Sequence, residues 1–177
     1  MRKSSKTALG GIIAALSLVL MLVSNFIPFL TYALPAVAGA VLMIMVIEIN
    51  RRWAFCSYVA VSLLSLMILA DKETAMMYVA FFGYYPIAKN IFESHLPAFW
   101  EKLCKFLLFN IAVVVAYAII IYVFNLPIDE LEEYGKWAVP VLLLMGNIIF
   151  VLYDYLLTKL VTIYLKLWRR RFRGIFK

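Results

Sequence analysis

Residues 7–29 read TALGGIIAALSLVLMLVSNFIPF, a stretch without a single charged side chain. At 1.5 Å per helical residue it reaches about 34 Å, enough to cross a hydrocarbon layer of about 30 Å. It is entered after Arg2, Lys3 and Lys6 and left through Asn25 and Pro28.

The rest of the chain repeats this design. Hydrophobic residues make up 66% of the 177 positions, charged residues 15%, and the mean hydropathy is +0.96. Soluble domains hold roughly 45–50% apolar and about 25% charged residues. The charges gather in clusters that cut the sequence into further blocks near 32–49, 53–70, 74–92, 106–124 and 137–157. The expected fold is therefore all-α: a bundle of six transmembrane helices forming a single transmembrane domain over residues 1–177. A cleaved signal peptide is the competing reading of the first block. Its apolar run exceeds the ~7–15 residues of a signal core, and the small-residue run Ala36-Val37-Ala38 lies inside the next block, so an uncleaved first span is expected.

Several features refine the plan. Phe82-Gly83-Tyr84-Tyr85-Pro86 should kink the fourth span, because proline lacks an N–H and clashes with the preceding turn. Residues 93–105, with His95, Pro97, Trp100 and Glu101, read as a short interfacial helix or loop. Residues 125–136 form an acidic, water-facing loop. The apolar run from Trp137 to Trp168 would be about 48 Å long as a helix, so the span is expected to end near Leu157 and residues 158–177 to form a basic amphipathic extension on the inner surface.

Lysine and arginine in short loops stay on the cytoplasmic side. With the N-terminus inside, fifteen of the 17 basic residues fall on the inner side, all except Lys72 and Lys136. Six spans return the C-terminus to the cytoplasm as well. The expected location is the cell membrane, multi-pass, with both termini cytoplasmic and the lipid bilayer as the principal partner.

Ionisable groups within a span are costly and usually face a partner or a cavity. Lys89 and Asp154 lie at similar inner depths, about 22 and 25 Å along their helices, so a buried ion pair across the bundle is expected. Glu48 precedes Arg51 and Arg52 by three and four positions, the spacing of an ion pair on one helix face. Tyr78, Tyr117, Trp137 and Asn147 lie in the outer half, either lining a small-molecule pocket or serving as interface anchors and helix glue. Gly10/Ala14 and Gly11/Ala15 form two small-x-x-x-small pairs, a flat strip for helix packing, internal or external.

Other classes find little support. The basic residues flank apolar spans rather than one soluble face, so no nucleic-acid partner is expected. The sequence holds no G-x-S-x-G, no H-E-x-x-H and no phosphate loop, and the single histidine, His95, has no carboxylate at ligand spacing; neither catalysis, metal nor cofactor is expected. Cys56 and Cys104 have no metal or redox spacing and read as reduced packing residues.

In size, in its six helices with cytoplasmic ends and in the strip Gly10, Gly11, Ala14, Ala15, the chain resembles the substrate-binding S components of energy-coupling factor (ECF) transporters. Those proteins use alanines at the start of the first helix to dock a transmembrane T component; here glycines precede the alanines. The resemblance implies capture of a vitamin or similar small nutrient from outside, among the last three helices and outer loops, with two cytoplasmic ATPases powering uptake. Tyr78, Tyr117, Trp137 and Asn147 would then lie near the ligand, and Gly11 and Ala15 would face the partner. The rival reading is a non-transport membrane assembly or scaffold protein whose basic tail binds lipid or a cytoplasmic partner.

Overall fold

The structure is a computed structural model describing residues 3–24, 26–27, 30–122 and 138–168. Among these residues it is all-helical. The elements are α1 (Lys3–Ser24), α2 (Ala33–Glu48), α3 (Arg51–Ile68), α4 (Lys72–Met77), a π-helical turn (Tyr78–Phe82), α5 (Tyr85–His95), α6 (Ala98–Tyr122), α7 (Ala138–Ile163) and a second π-helical turn (Tyr164–Trp168). Three described helices are long and apolar enough to cross a membrane, over Ser4–Ser24, Ala98–Ile119 and Pro140–Lys166; Ala33–Glu48 is a shorter apolar helix. The acidic loop 125–136, Trp137 and the tail 169–177 lie outside the described residues.

The apolar surface follows from the sequence pattern. On α1 the buried positions Gly10, Ile13, Ser17, Met21 and Ser24 recur every three to four residues and face α2 and α3. The other face exposes Ile12 (65%) and Val19 (56%). Leu144, Ile148 and Leu152 project outward from α7 in the same way. Contiguous apolar faces of this kind suit hydrocarbon rather than water.

The central element is α2, which packs on α1, α3, α5 and the first π turn. Close approach is possible because residue 39 is glycine: a Cβ there would lie 2.2 Å from the Phe82 carbonyl oxygen. The connections are short and capped. Asn50 accepts a hydrogen bond from the Trp53 amide at 3.0 Å, and Asp71 accepts from the Glu73 and Thr74 amides, which otherwise have no intrahelical partner. Lys72 Nζ meanwhile closes the end of α3, donating to the carbonyls of Leu66 (2.9 Å) and Leu69 (2.8 Å).

Four features differ from the sequence expectation. The kink around Gly83 and Pro86 is absorbed by the π turn, after which Pro86 sits in the first turn of a new helix, where its missing N–H leaves no gap. Residues 98–105 are the opening turns of α6 rather than a separate interfacial piece; Glu101 and Lys105 pair along the helix, and Lys102 is exposed on its surface. The last helix passes through Leu157 and Thr158 without a break, with Thr158 and Thr162 hydroxyls bonded to the carbonyls four residues back and Lys159 exposed on its surface. Arg51, finally, opens a new helix instead of sharing one with Glu48, and its guanidinium reaches Asn90 Oδ1 at 2.7 Å and Ser94 Oγ at 2.8 Å.

Candidate functional site

Polar groups are distributed along the bundle in three tiers. The first lies where α5 ends and α6 begins. Lys89 on α5 is 1% exposed and Lys105 on α6 is 3% exposed, and burial of two ammonium groups requires carboxylates at hand. Lys89 Nζ stands 2.5 Å from Glu93 and 2.6 Å from Asp154 on α7, with Thr158 Oγ1 at 2.9 Å. Lys105 Nζ stands 2.7 Å from Glu101, 2.8 Å from Glu93 and 3.4 Å from Asp154. Tyr85 donates its hydroxyl to Asp154 at 2.6 Å. Three helices are thereby joined by one network, in which three carboxylates face two ammonium groups and leave one negative charge in excess. Chemically the network locks α5, α6 and α7 together.

The second tier is the midsection. The Gly83 amide bonds to the Tyr78 carbonyl at 2.8 Å, five residues back, instead of to Val79; Tyr58 on α3 supplies a donor to the Val79 carbonyl at 2.8 Å. Gly83 is needed here because a Cβ would lie 2.6–2.8 Å from the rings of Tyr58 and Tyr78. Tyr78 itself is fully buried, and its hydroxyl has no hydrogen-bond partner among the described residues. A buried hydroxyl left unpaired is costly, and one-turn π-helices inside α-helices are frequent at functional sites. Beside it, Phe81 packs against Tyr85 at 4.6 Å and Phe109 at 5.1 Å, while Phe109 stacks on Phe150 at 4.8 Å. Farther along α6 and α7, Asn110 and Asn147 exchange two amide hydrogen bonds, each 3.0 Å long.

The third tier occupies the opposite end of the bundle from the charge network. Tyr32 donates to Glu73 at 2.5 Å, and its oxygen lies 3.4 Å from the Tyr117 hydroxyl. Thr74 bonds to the Thr31 carbonyl at 3.3 Å, tying the start of α4 to the start of α2.

The residues that the sequence singled out are thus placed separately. Lys89 and Asp154 meet. Tyr78 is in the core, Tyr117 joins the Tyr32–Glu73 group, Asn147 is engaged by Asn110, and Trp137 falls outside the described residues. The strip on α1 divides: Gly10 is buried, a Cβ there meeting Met45 at 3.0 Å and Ser57 at 3.5 Å, with Ala14 half-buried on the same side. A Cβ at Gly11 would meet nothing within 4 Å, and Ala15 one turn on is exposed. Sequence reasoning missed Lys105, Glu93 and Glu101, whose signal was the (i,i+4) spacing of Glu101 and Lys105, and Asn110, a second amide facing Asn147.

His95 Nδ1 lies 2.6 Å from Ser94 Oγ and 3.0 Å from the Ile91 carbonyl, a local helix-end arrangement. Among the described residues no cluster of three histidine, cysteine or carboxylate side chains could hold a metal, and Cys56 and Cys104 are free thiols. Set against models of known protein families, curated proteins and solved structures, the chain matches none of them.

Proposed function

We propose that the chain crosses the membrane six times with both termini in the cytoplasm, and that it is the substrate-binding subunit for uptake of a vitamin or similar small nutrient, working with a transmembrane T component and two cytoplasmic ATPases. The observation that carries this reading is the Tyr78 hydroxyl, which is buried in a π-helical turn without a partner among the described residues. Such a group is poorly accounted for by packing alone and is well matched to a ligand oxygen or nitrogen. In this reading α4 and α5 with their π turn form one bent span. The Tyr32–Glu73–Tyr117 group marks the outer entrance, and Arg51, Arg52 and the charge network mark the cytoplasmic end. The exposed Gly11 and Ala15 leave a smooth strip of α1 for a partner helix.

The test is isolation of the chain from its own membranes. Co-recovery of a T-like subunit with ATPases, and a thermal shift with one member of a vitamin panel, is the expected result. A chain recovered alone, whose stability no vitamin alters, would overturn it. The assembly or scaffold reading draws on a different observation, the complete pairing of Lys89 and Lys105, which makes the cytoplasmic end a rigid platform. Under that reading a cytoplasmic protein without nucleotide-binding activity co-purifies instead.

A further inference from the structure

A groove of about 660 Å³ runs between α2 and α7 on the outside of the bundle. Ala33, Ala36 and Ala40 make its α2 wall, three small residues spaced so that their helix side stays open. Ile149, Leu156 and Ile163 mark the length of its α7 wall, about 21 Å by helical rise, more than half of a hydrocarbon core of about 30 Å. The floor is Phe82 and Tyr153.

The polar groups in this lining are few, and all but one are already engaged. The Tyr32 hydroxyl donates to Glu73 and the Tyr153 hydroxyl to the Ala36 carbonyl at 3.2 Å. The remaining one is the Lys159 ammonium, which forms no ion pair among the described residues and lies 5.3 Å from the Tyr155 ring centroid. Lys159 is 21 residues beyond the start of α7 at Ala138, about 32 Å along the helix and so one core thickness away. Lys166, two turns farther, is also exposed.

We propose that this groove is a binding site for an anionic phospholipid, one acyl chain lying along the alanine wall and the phosphate meeting Lys159. An aliphatic channel with a single unspent cation at the headgroup boundary complements a long hydrocarbon carrying a negative head. A partner helix fits less well, because it would leave Lys159 unmatched in an apolar interface. The site is independent of the nutrient-binding reading and of which side of the membrane the termini occupy.

The experiment is native mass spectrometry of the full chain taken from nanodiscs holding phosphatidylglycerol and phosphatidylcholine with identical chains. The wild-type protein should retain phosphatidylglycerol preferentially. Lys159→Gln should lower that preference about fivefold, the effect of one basic residue near an anionic membrane, while still retaining lipid. Val37→Trp, at a 47% exposed position lining the groove, should displace both lipids without disturbing the core. Equal retention of the two lipids by wild type, an unchanged preference in Lys159→Gln, or full retention in Val37→Trp would each overturn the proposal. Disulfide-linked dimers of Val37→Cys in nanodiscs would assign the groove to a second copy and overturn it equally.

Discussion

Lys89 Nζ lies 2.6 Å from Asp154 Oδ1, across 65 positions of sequence, and neither group belongs to the other alone. Glu93 stands against both Lys89 and Lys105, and Lys105 completes the surroundings of Asp154. Removing one partner from a buried ionic network costs about 3–5 kcal/mol, because it strands the remaining charges. Lys89→Met should therefore unfold at markedly lower SDS concentration than wild type. An exchange of the two residues, Lys89→Asp with Asp154→Lys, should fail to restore wild-type stability, since it sets a new carboxylate against Glu93 and a new ammonium against Lys105. Recovery of wild-type stability in the exchanged protein would mean that the pair is energetically isolated.

This network also shows how far the sequence could be read. The depths of Lys89 and Asp154 follow from helix rise and the positions of the span ends, both visible in the order of residues. Glu101 and Lys105 were hidden because a run of charges around a proline looks like a break between helices. Here the proline precedes α6; Glu101 and Lys105 pair along that helix, with only their (i,i+4) spacing as a local signature, while Glu93 and Asp154 reach Lys105 from α5 and α7. The π turn at Tyr78–Phe82 was announced only by the expected kink at Gly83 and Pro86; which carbonyl it frees depends on Tyr58 arriving from α3. The groove between α2 and α7 was not legible at all, because which helices flank one another is decided by packing rather than by composition.

Asn110 and Asn147 provide a second test of helix pairing. Each donates to the carbonyl four residues back on its own helix as well as to the other amide, so replacement does not leave the surviving side chain wholly without partners. Asn147→Leu should cost about 0.6–1.7 kcal/mol, the range for interhelical hydrogen bonds in membranes. The double variant Asn110→Leu with Asn147→Leu should cost less than the sum of the singles, since no amide then remains to be satisfied. Additive losses in a double-mutant cycle of SDS unfolding would argue that Asn147 has a separate role.

Two glycines on neighbouring helices should behave in opposite ways. Gly39→Ala brings a methyl group to within 2.2 Å of a backbone oxygen, that of Phe82, which no side-chain rotation relieves. A destabilisation of about 3 kcal/mol or more is expected, seen as loss of folded protein on extraction. At Gly11 an added Cβ meets nothing within 4 Å, and Gly11→Leu, on the exposed face of α1, should leave thermal unfolding within about 0.5 kcal/mol of wild type. If the exposed strip docks a T component, the same change should abolish recovery of that subunit, so normal recovery with Gly11→Leu would remove α1 from the proposed interface.

The sharpest separation between packing and binding comes from Tyr78. Its hydroxyl is buried and unpaired among the described residues, and an unsatisfied buried polar group costs about 1–3 kcal/mol. Tyr78→Phe keeps the ring against Tyr58 and removes only the oxygen, so the unliganded protein should become more stable by about 1 kcal/mol. Were the hydroxyl there to meet a nutrient, the same variant should bind it about tenfold more weakly, the equivalent of one hydrogen bond of about 1.4 kcal/mol. Thermal unfolding with and without the vitamin panel reads both effects from one preparation. Gain of stability together with loss of the ligand-induced shift assigns the hydroxyl to binding; loss of stability in the unliganded protein would show instead that the oxygen has a structural partner, and the principal support for the nutrient-binding reading would fall with it.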